Sequence, residues 1–173
     1  MKKLMNLFLS ALVLVTALSA CGSSAKQEVE RTAEEWNALY AQAITESRTE
    51  EFNEYYPILD PADTEMYEMS LATMGLSAGD MAAGAISMSL MNTQAYAVAA
   101  IRPAEGKEET VTAALQTYVD NTRNSFEFYL PEPFEVASNA RLETLEDGTV
   151  LLVMCQDQDT VFESISAAIL EKK

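Results

Sequence analysis

An uncharged stretch of 21 residues, 81–101, constrains the fold of this chain more than any other feature. Its length suits a membrane-spanning helix, which needs about 20 predominantly apolar residues. However, the polar residues Asn92, Thr93 and Gln94 lie near its centre, where hydrocarbon tolerates polar groups least. Apolar and small residues alternate on both sides of them, as in half-buried strands. We therefore predict two strands joined by a polar turn, with a membrane span as the alternative.

Helical periodicity precedes this hairpin in two places. Apolar side chains recur every three or four residues over 29–44, which predicts an amphipathic helix anchored in the core by Trp36. Residues 48–60 lose this period and are interpreted as an irregular linker. A short helix follows and ends at Gly75, because glycine readily terminates helices.

Three more elements follow the hairpin. A helix of about 20 residues ends near Phe126. The pair Asp147 and Gly148 is typical of a tight turn leading into the apolar strand at 150–155. A capping box that begins at Thr160 predicts the terminal helix.

This order of elements predicts a single α+β domain over residues 28–173. Two hairpins give a mostly antiparallel four-stranded sheet. Each amphipathic helix has one apolar stripe, so we expect the helices to pack against one face of that sheet. The domain is large enough to have its own hydrophobic core.

The N-terminus has the pattern of a lipoprotein signal peptide. Two lysines precede an apolar segment that is too short for a lasting span. The signal-peptidase recognition residues are Leu18, Ser19 and Ala20, and the lipid acceptor is Cys21. We predict a signal peptide at 1–20, a lipidated tether at 21–27 and attachment to the outer face of the cytoplasmic membrane through the lipid on Cys21. An uncleaved anchor helix is the alternative.

The charge balance limits the partners of this domain. The chain has 27 acidic and 11 basic residues, for a formal net charge of −16. Such a surface repels phosphate backbones and anionic lipid headgroups. We therefore predict no nucleic-acid partner, and we expect the lipid to provide the membrane attachment. An envelope protein or a cell-wall component is a possible further partner.

The chain has no histidine, which removes Ser-His-Asp and Cys-His catalysis and the usual histidine-containing zinc sites. Cys155 is the only cysteine besides Cys21 and ends an apolar run, so we predict a small buried hydrophobe rather than a nucleophile. We assign no catalytic residue, no metal site and no cofactor.

Two patterns resemble metal sites. Asp157 and Asp159 match the start of a calcium loop, but the glycine of such a loop is missing, so we expect them to help start the terminal helix. Thioethers can bind Cu(I), although helix and strand spacing favours core filling for the methionines. These are Met66, Met69, Met74, Met81, Met88 and Met91.

The best candidate interaction surface is an aromatic and proline-rich stretch after the long helix. Aromatic rings beside prolines give rigid contact area. The residues of this candidate surface are Phe126, Phe128, Tyr129 and Pro131. The alternative is a structural plug between the long helix and the second hairpin.

Several of these features occur together in one family. They are the lipoprotein signal, the strand at 96–102, the long helix ending at 125–127 with Tyr129, Leu130 and Pro131 behind it, and Asn139 before the hairpin that enters 150–153. The chain resembles, over roughly residues 30–170, the extracytoplasmic lipoproteins of domain-of-unknown-function family 4358, found chiefly in clostridia and related Gram-positive bacteria. The resemblance implies placement and fold, and no activity.

The sequence thus favours a non-catalytic, lipid-anchored domain that binds a component of the cell envelope. One alternative is an envelope-acting hydrolase that uses paired carboxylates as acid and base. A small-molecule or metal-ion binder is the other.

Overall fold

The computed structural model describes residues 31–171. The predicted signal peptide at 1–20, with Leu18, Ser19 and Ala20, and the predicted tether at 21–27, with Cys21, lie outside these residues. The described elements are α1 (Ala33–Glu46), α2 (Glu50–Tyr55), α3 (Thr64–Thr73), β1 (Met81–Met88), β2 (Ala97–Pro103), α4 (Glu108–Phe126), α5 (Pro131–Ser138), β3 (Arg141–Thr144), β4 (Val150–Met154) and α6 (Gln158–Glu171).

The four strands form one antiparallel sheet in the order β1-β2-β4-β3. The uncharged stretch is the first hairpin, β1 and β2, and its polar centre is the turn between them. The predicted α+β fold with a four-stranded sheet of two hairpins is therefore confirmed. Within residues 31–171, no helix has the length and hydropathy that crossing a membrane would require.

The helices cover both faces of the sheet, which corrects the prediction of a single covered face. α1 and α6 pack on one face against residues such as Val98 and Leu151. α3, α4 and α5 pack on the other against residues such as Ala99 and Leu152. The reason is visible in β4, where all five residues are fully buried and apolar, a pattern typical of a strand covered on both sides.

α1 is tied to the second hairpin by a buried polar contact. The Tyr40 hydroxyl lies 2.8 Å from Thr149 Oγ1, and both residues are fully buried. Arg102 donates to the Asp147 carbonyl at 3.0 Å while its guanidinium lies 4.5 Å from the centre of the Trp36 ring. The predicted role of Trp36 as a core anchor of α1 is confirmed by its burial.

Three local predictions need correction. The linker at 48–60 contains α2, whose first turn is capped by Thr49 accepting from the Phe52 N–H. The proline-rich stretch contains α5, which begins at Pro131 because a proline in the first turn has no N–H to leave unpaired. α6 begins at Gln158, before the predicted capping box at Thr160.

Candidate functional site

Two adjoining cavities lie beside the turn of the first hairpin, and together we call them the groove. The apolar lobe has a volume of about 320 Å³ and is lined chiefly by Tyr55, Met66, Met88, Leu90 and Met91. The polar lobe has a volume of about 300 Å³ and is lined chiefly by Phe52, Thr93, Tyr96, Glu132, Cys155 and Gln156. Tyr56 and Gln94 line both lobes, so the two cavities are neighbours that share these residues as a wall.

The apolar lobe displays large hydrophobic side chains to solvent. Leu90 and Met91, in the turn between β1 and β2, are 49% and 48% exposed. Tyr55 of α2 and Met66 of α3 are also exposed. Contiguous exposed apolar side chains on a small protein commonly mark an interaction surface. The fold brings these four together from three separate segments.

Stacked aromatic rings form the floor shared by the two lobes. The Tyr56 and Tyr96 rings are stacked with centroids 3.8 Å apart, and Tyr55 meets Tyr56 edge-on at 4.7 Å. Phe52 completes the cluster at 5.9 Å from Tyr56. Such ring pairs add stabilisation beyond the area they bury, so this floor is a rigid platform.

Arg48 holds this platform against the sheet. It lies between α1 and α2, and its Nη1 donates to the Tyr56 carbonyl, to Ser87 Oγ at 2.8 Å and to the Tyr96 hydroxyl. Its Nη2 donates to Asn53 Oδ1 at 2.6 Å. One guanidinium therefore links α2 to β1 and to the residue before β2, which fixes the position of the groove.

Burial keeps the Tyr56 and Tyr96 hydroxyls and the Cys155 thiol of the groove protonated at neutral pH. Burial raises the pKa of Tyr96, against the opposing charge of Arg48. Burial, with smaller contributions from Tyr55 and Tyr96, raises the pKa of Tyr56. Burial also raises the pKa of the Cys155 thiol to about 12. A protonated thiol is a poor nucleophile, and Cys155 packs in the core as predicted.

The polar lobe has one carboxylate. Glu132 Oε1 accepts a 2.8 Å hydrogen bond from Gln156 Nε2, which joins α5 to the end of β4. No other acidic residue lines either lobe. A third cavity of about 440 Å³ lies between α3 and α4, but none of the exposed large apolar side chains of residues 31–171 lines it.

The predicted aromatic surface is divided by the structure. Phe128 and Tyr129 are 82% and 83% exposed in the loop after α4, and Pro131 begins α5. Phe126 is only 4% exposed, so its place on the surface is corrected: it lies on the buried side of α4 with Leu115. The plug interpretation thus applies to Phe126 and not to the two residues behind it.

The residues in metal-like patterns are dispersed. Asp157 precedes α6 with a φ of 56°, and Asp159 contacts Arg141 at 3.3 Å. Within residues 31–171 no group of three or more acidic or cysteine side chains could hold a metal ion. Core filling is right for the buried Met74 and Met88. It is wrong for the exposed methionines, which are Met66, Met69 and Met91.

Sequence reasoning missed most of the groove. It did not single out Arg48 or Leu90, and it interpreted the segment that contains Tyr55 and Tyr56 as a linker that merely packs. The sequence did contain a signal for the groove. Phe52, Tyr55 and Tyr56 lie in a segment rich in acidic residues, and Tyr96 follows the polar residues at 92–94. An apolar pair beside the polar turn, at positions 90 and 91, was a second signal.

One comparison with known proteins gives a match. The family model described as a domain of unknown function (DUF4358) matches residues 72–155, a shorter span than the predicted 30–170. These residues run from the end of α3 to the end of β4 and include both hairpins. Neither a curated protein nor a solved structure matches the chain.

Proposed function

Since residues 72–155 place this chain in the DUF4358 family, whose activity is unknown, we propose its function from its own groove and its N-terminal signal. It is a membrane-anchored extracytoplasmic lipoprotein whose domain binds an envelope protein or a cell-wall component without catalysing a reaction. The groove is the binding site. The observation that carries this proposal is the set of exposed apolar side chains around the apolar lobe.

Exposed apolar residues at this density are not required by the fold. The sheet and its helices bury their own core on both faces, whereas Tyr55, Leu90 and Met91 remain largely in solvent. Leaving apolar surface in water is unfavourable by roughly 25 cal/mol per Å² relative to burying it. A partner that covers this surface recovers that free energy.

The anchor is supported by the sequence of the first 21 residues. The apolar segment is followed by a small-residue processing site and Cys21. A diacylglycerol on the thiol supplies two acyl chains, which is enough for stable attachment where one chain is marginal. A short tether would then hold the groove close to the membrane surface.

The chemistry of the groove supports binding over catalysis. A glycoside hydrolase requires two carboxyl groups roughly 5–9.5 Å apart across the scissile bond, and Glu132 is the single carboxylate in these two lobes. The Cys155 thiol is held protonated by burial. A small-molecule ligand is the second candidate, because the polar lobe, at about 300 Å³, has the size of a small ligand site.

The anchor is tested with Cys21→Ser in the full-length protein. We expect the wild-type protein in the membrane fraction, with an N-terminal peptide whose mass includes a diacylglycerol. The Cys21→Ser variant should appear as unprocessed precursor or outside that fraction, with its domain still folded. Retention of a processed, membrane-bound Cys21→Ser protein would contradict the proposed anchor.

Binding is tested by chemical cross-linking in living cells. We expect a defined adduct with wild-type protein and its loss in the double variant Leu90→Ser/Met91→Ser. The matched control is Phe128→Ser/Tyr129→Ser, which removes two even more exposed apolar side chains from another surface and should keep the adduct. Loss in the control alone would move the binding site to the loop after α4, and the absence of any adduct would count against a binding function.

A further inference from the structure

The polar side chains of the apolar lobe hydrogen-bond to one another. Gln94 Oε1 accepts from the Tyr56 hydroxyl at 3.0 Å and from Ser89 Oγ at 2.9 Å, and its Nε2 donates to the Tyr55 hydroxyl at 3.2 Å. The Ser89 hydroxyl oxygen also accepts from the Met91 N–H. A sugar would need donors and acceptors that are free to exchange with water. The lobe instead offers apolar surface, which suits apolar side chains.

Methionine supplies part of this surface. Met66 and Met91 line the lobe, and Met69 lies one helical turn after Met66 and is 50% exposed. Unbranched thioether side chains adjust to differently shaped partners and are common at surfaces that accept apolar helix faces. The ligand is therefore a set of apolar side chains rather than one fixed shape.

Acidic residues lie beside the lining residues of the lobe in sequence. Every acidic residue on α2, on α3 and between these two helices is exposed. These residues are Glu50, Glu51, Glu54, Asp60, Asp63, Glu65 and Glu68. None of the ion pairs within residues 31–171 includes one of them. Between Arg48 and Arg102 the sequence contains no lysine or arginine.

The basic residue nearest to these acids in sequence, Arg48, forms no ion pair with them among the described residues. The guanidinium of Arg48 lies under the groove and donates to the neutral groups of Tyr56, Ser87, Tyr96 and Asn53. The segments of sequence that form the apolar lobe therefore carry acidic residues and no lysine or arginine. They attract a cationic partner and repel anionic ones, including a bilayer of anionic lipids.

We propose that the apolar lobe binds a basic amphipathic segment of another protein. The apolar face of the segment lies against Tyr55, Met66, Leu90 and Met91, and its lysines or arginines face the acids of α2 and α3. This inference rests on the proposed function and adds the chemistry of the partner. It follows from charge complementarity around an exposed apolar groove.

The probe is a fluorescent peptide of about 18 residues in which leucine and lysine recur with helical period, long enough to form a helix. Binding is measured by fluorescence anisotropy to the full-length lipidated protein in phosphatidylcholine nanodiscs, with empty nanodiscs subtracted. Two control peptides have the same length. One has the same composition in an order that places no leucine face on a helix, and the other has glutamate for lysine.

Two variants separate the apolar and electrostatic contributions. Leu90→Ser/Met91→Ser should weaken binding about tenfold or more, as expected for central contacts. The fourfold variant Glu51→Gln/Glu54→Gln/Glu65→Gln/Glu68→Gln should weaken it about three- to tenfold at low salt, with a smaller effect at high salt. Its control removes the same charge elsewhere, through Glu105→Gln/Glu127→Gln/Glu146→Gln/Glu171→Gln, and should bind like wild type.

Three results would overturn the inference: no peptide binding above empty nanodiscs, equal binding of the reordered peptide, or equal weakening by the two fourfold variants. Failure of this inference is distinguished from failure of the proposed function by cross-linking in cells from a photo-reactive amino acid at position 91. An adduct with a lipid, or with a protein segment that is not basic, refutes the inference while the groove remains a binding site. An adduct on a basic amphipathic segment supports both.

Discussion

The two hairpins of the sheet use their turns differently. In the second hairpin, Leu145 and Thr149 close the turn with a 2.8 Å backbone hydrogen bond, and Gly148 adopts a φ of 84° that favours glycine. Its Asp147 and Thr149 are buried. In the first hairpin, the residues between the strands include Leu90 and Met91, which are half exposed. One turn buries polar groups and the other exposes apolar ones.

This difference separates folding from binding within one sheet. The buried contacts of the second turn join it to α1 through Tyr40, so its side chains serve stability. The exposed side chains of the first turn have no such partner in the core and form a wall of the groove. Substitutions should therefore affect stability at the second turn and binding at the first, with Arg48 as the exception beneath the groove.

Arg48→Ala should have the largest effect on stability. It removes the donor shared by the Tyr56 carbonyl, Ser87 and Tyr96, of which Ser87 Oγ still donates to the Tyr56 carbonyl at 2.8 Å, and each buried group left unsatisfied costs about 1–3 kcal/mol. We expect the free energy of unfolding to fall by on the order of 3 kcal/mol in urea titrations of the Cys21→Ser protein. Arg123→Ala, which removes a partner of an exposed Asp120 ion pair, should change it by less than about 0.5 kcal/mol.

Alkaline pH should destabilise the fold next most strongly. Burial raises the pKa of Tyr40 from 10.0 to about 12 and that of Cys155 from 9.0 to about 12. Each group therefore keeps its proton in the folded chain at a pH where the unfolded chain loses it, so the free energy of unfolding falls as pH rises from about 9 to about 12. Urea titrations should show the free energy of unfolding falling by on the order of 2–3 kcal/mol between pH 9 and about pH 10.5.

Cys155→Ala tests which group begins this decrease. The unfolded chain loses the Cys155 proton near pH 9 and the Tyr40 proton near pH 10. Without the thiol, the free energy of unfolding should therefore begin to fall nearer pH 10 than pH 9. A profile identical to that of the wild type would show that burial of Cys155 does not contribute.

Thr149→Val should have an intermediate effect. It removes the 2.8 Å partner of the Tyr40 hydroxyl in the buried contact between α1 and the second turn. We expect a loss of about 1–2 kcal/mol. In a double-mutant cycle with Tyr40→Phe, the double variant should lose less stability than the sum of the two single losses, because both variants break the same hydrogen bond. Strict additivity would show that the hydroxyls do not interact.

Leu90→Ser/Met91→Ser should have the smallest effect on stability. Both side chains are half exposed, and surface substitutions usually change the free energy of unfolding by less than about 0.5 kcal/mol. The urea midpoint should match that of the wild type while partner capture is lost. A large drop in the midpoint would mean that the first turn also serves folding.

Local signals in the sequence predicted much of the fold. Turn residues such as Gly148 and the polar centre of residues 81–101 located both hairpins, because short turns depend on neighbouring residues. The covering of both faces was also readable, since β4 is apolar at every position. α5 was missed because its prolines were taken to exclude a helix, although proline is well tolerated in the first turn.

The groove is assembled by contacts between residues distant in sequence, and its local signals do not specify which segments meet. Arg48 reaches Ser87 and Tyr96 across 39 and 48 residues of sequence. Leu90 and Met91 resemble core residues in composition, and only the position of the turn leaves them in solvent. In the aromatic stretch, the structure exposes Phe128 and Tyr129, whereas Phe126 is turned inward by the period of α4.

The central claim is that the first turn, and not the second, contacts a partner. A photo-reactive amino acid at position 91 in the first turn, or at position 146 in the second, tests it in living cells, because Glu146 is exposed and remote in sequence from the groove. We predict a defined protein adduct from position 91 and none from position 146. Equal adducts from both positions, or an adduct from position 146 alone, would contradict the account.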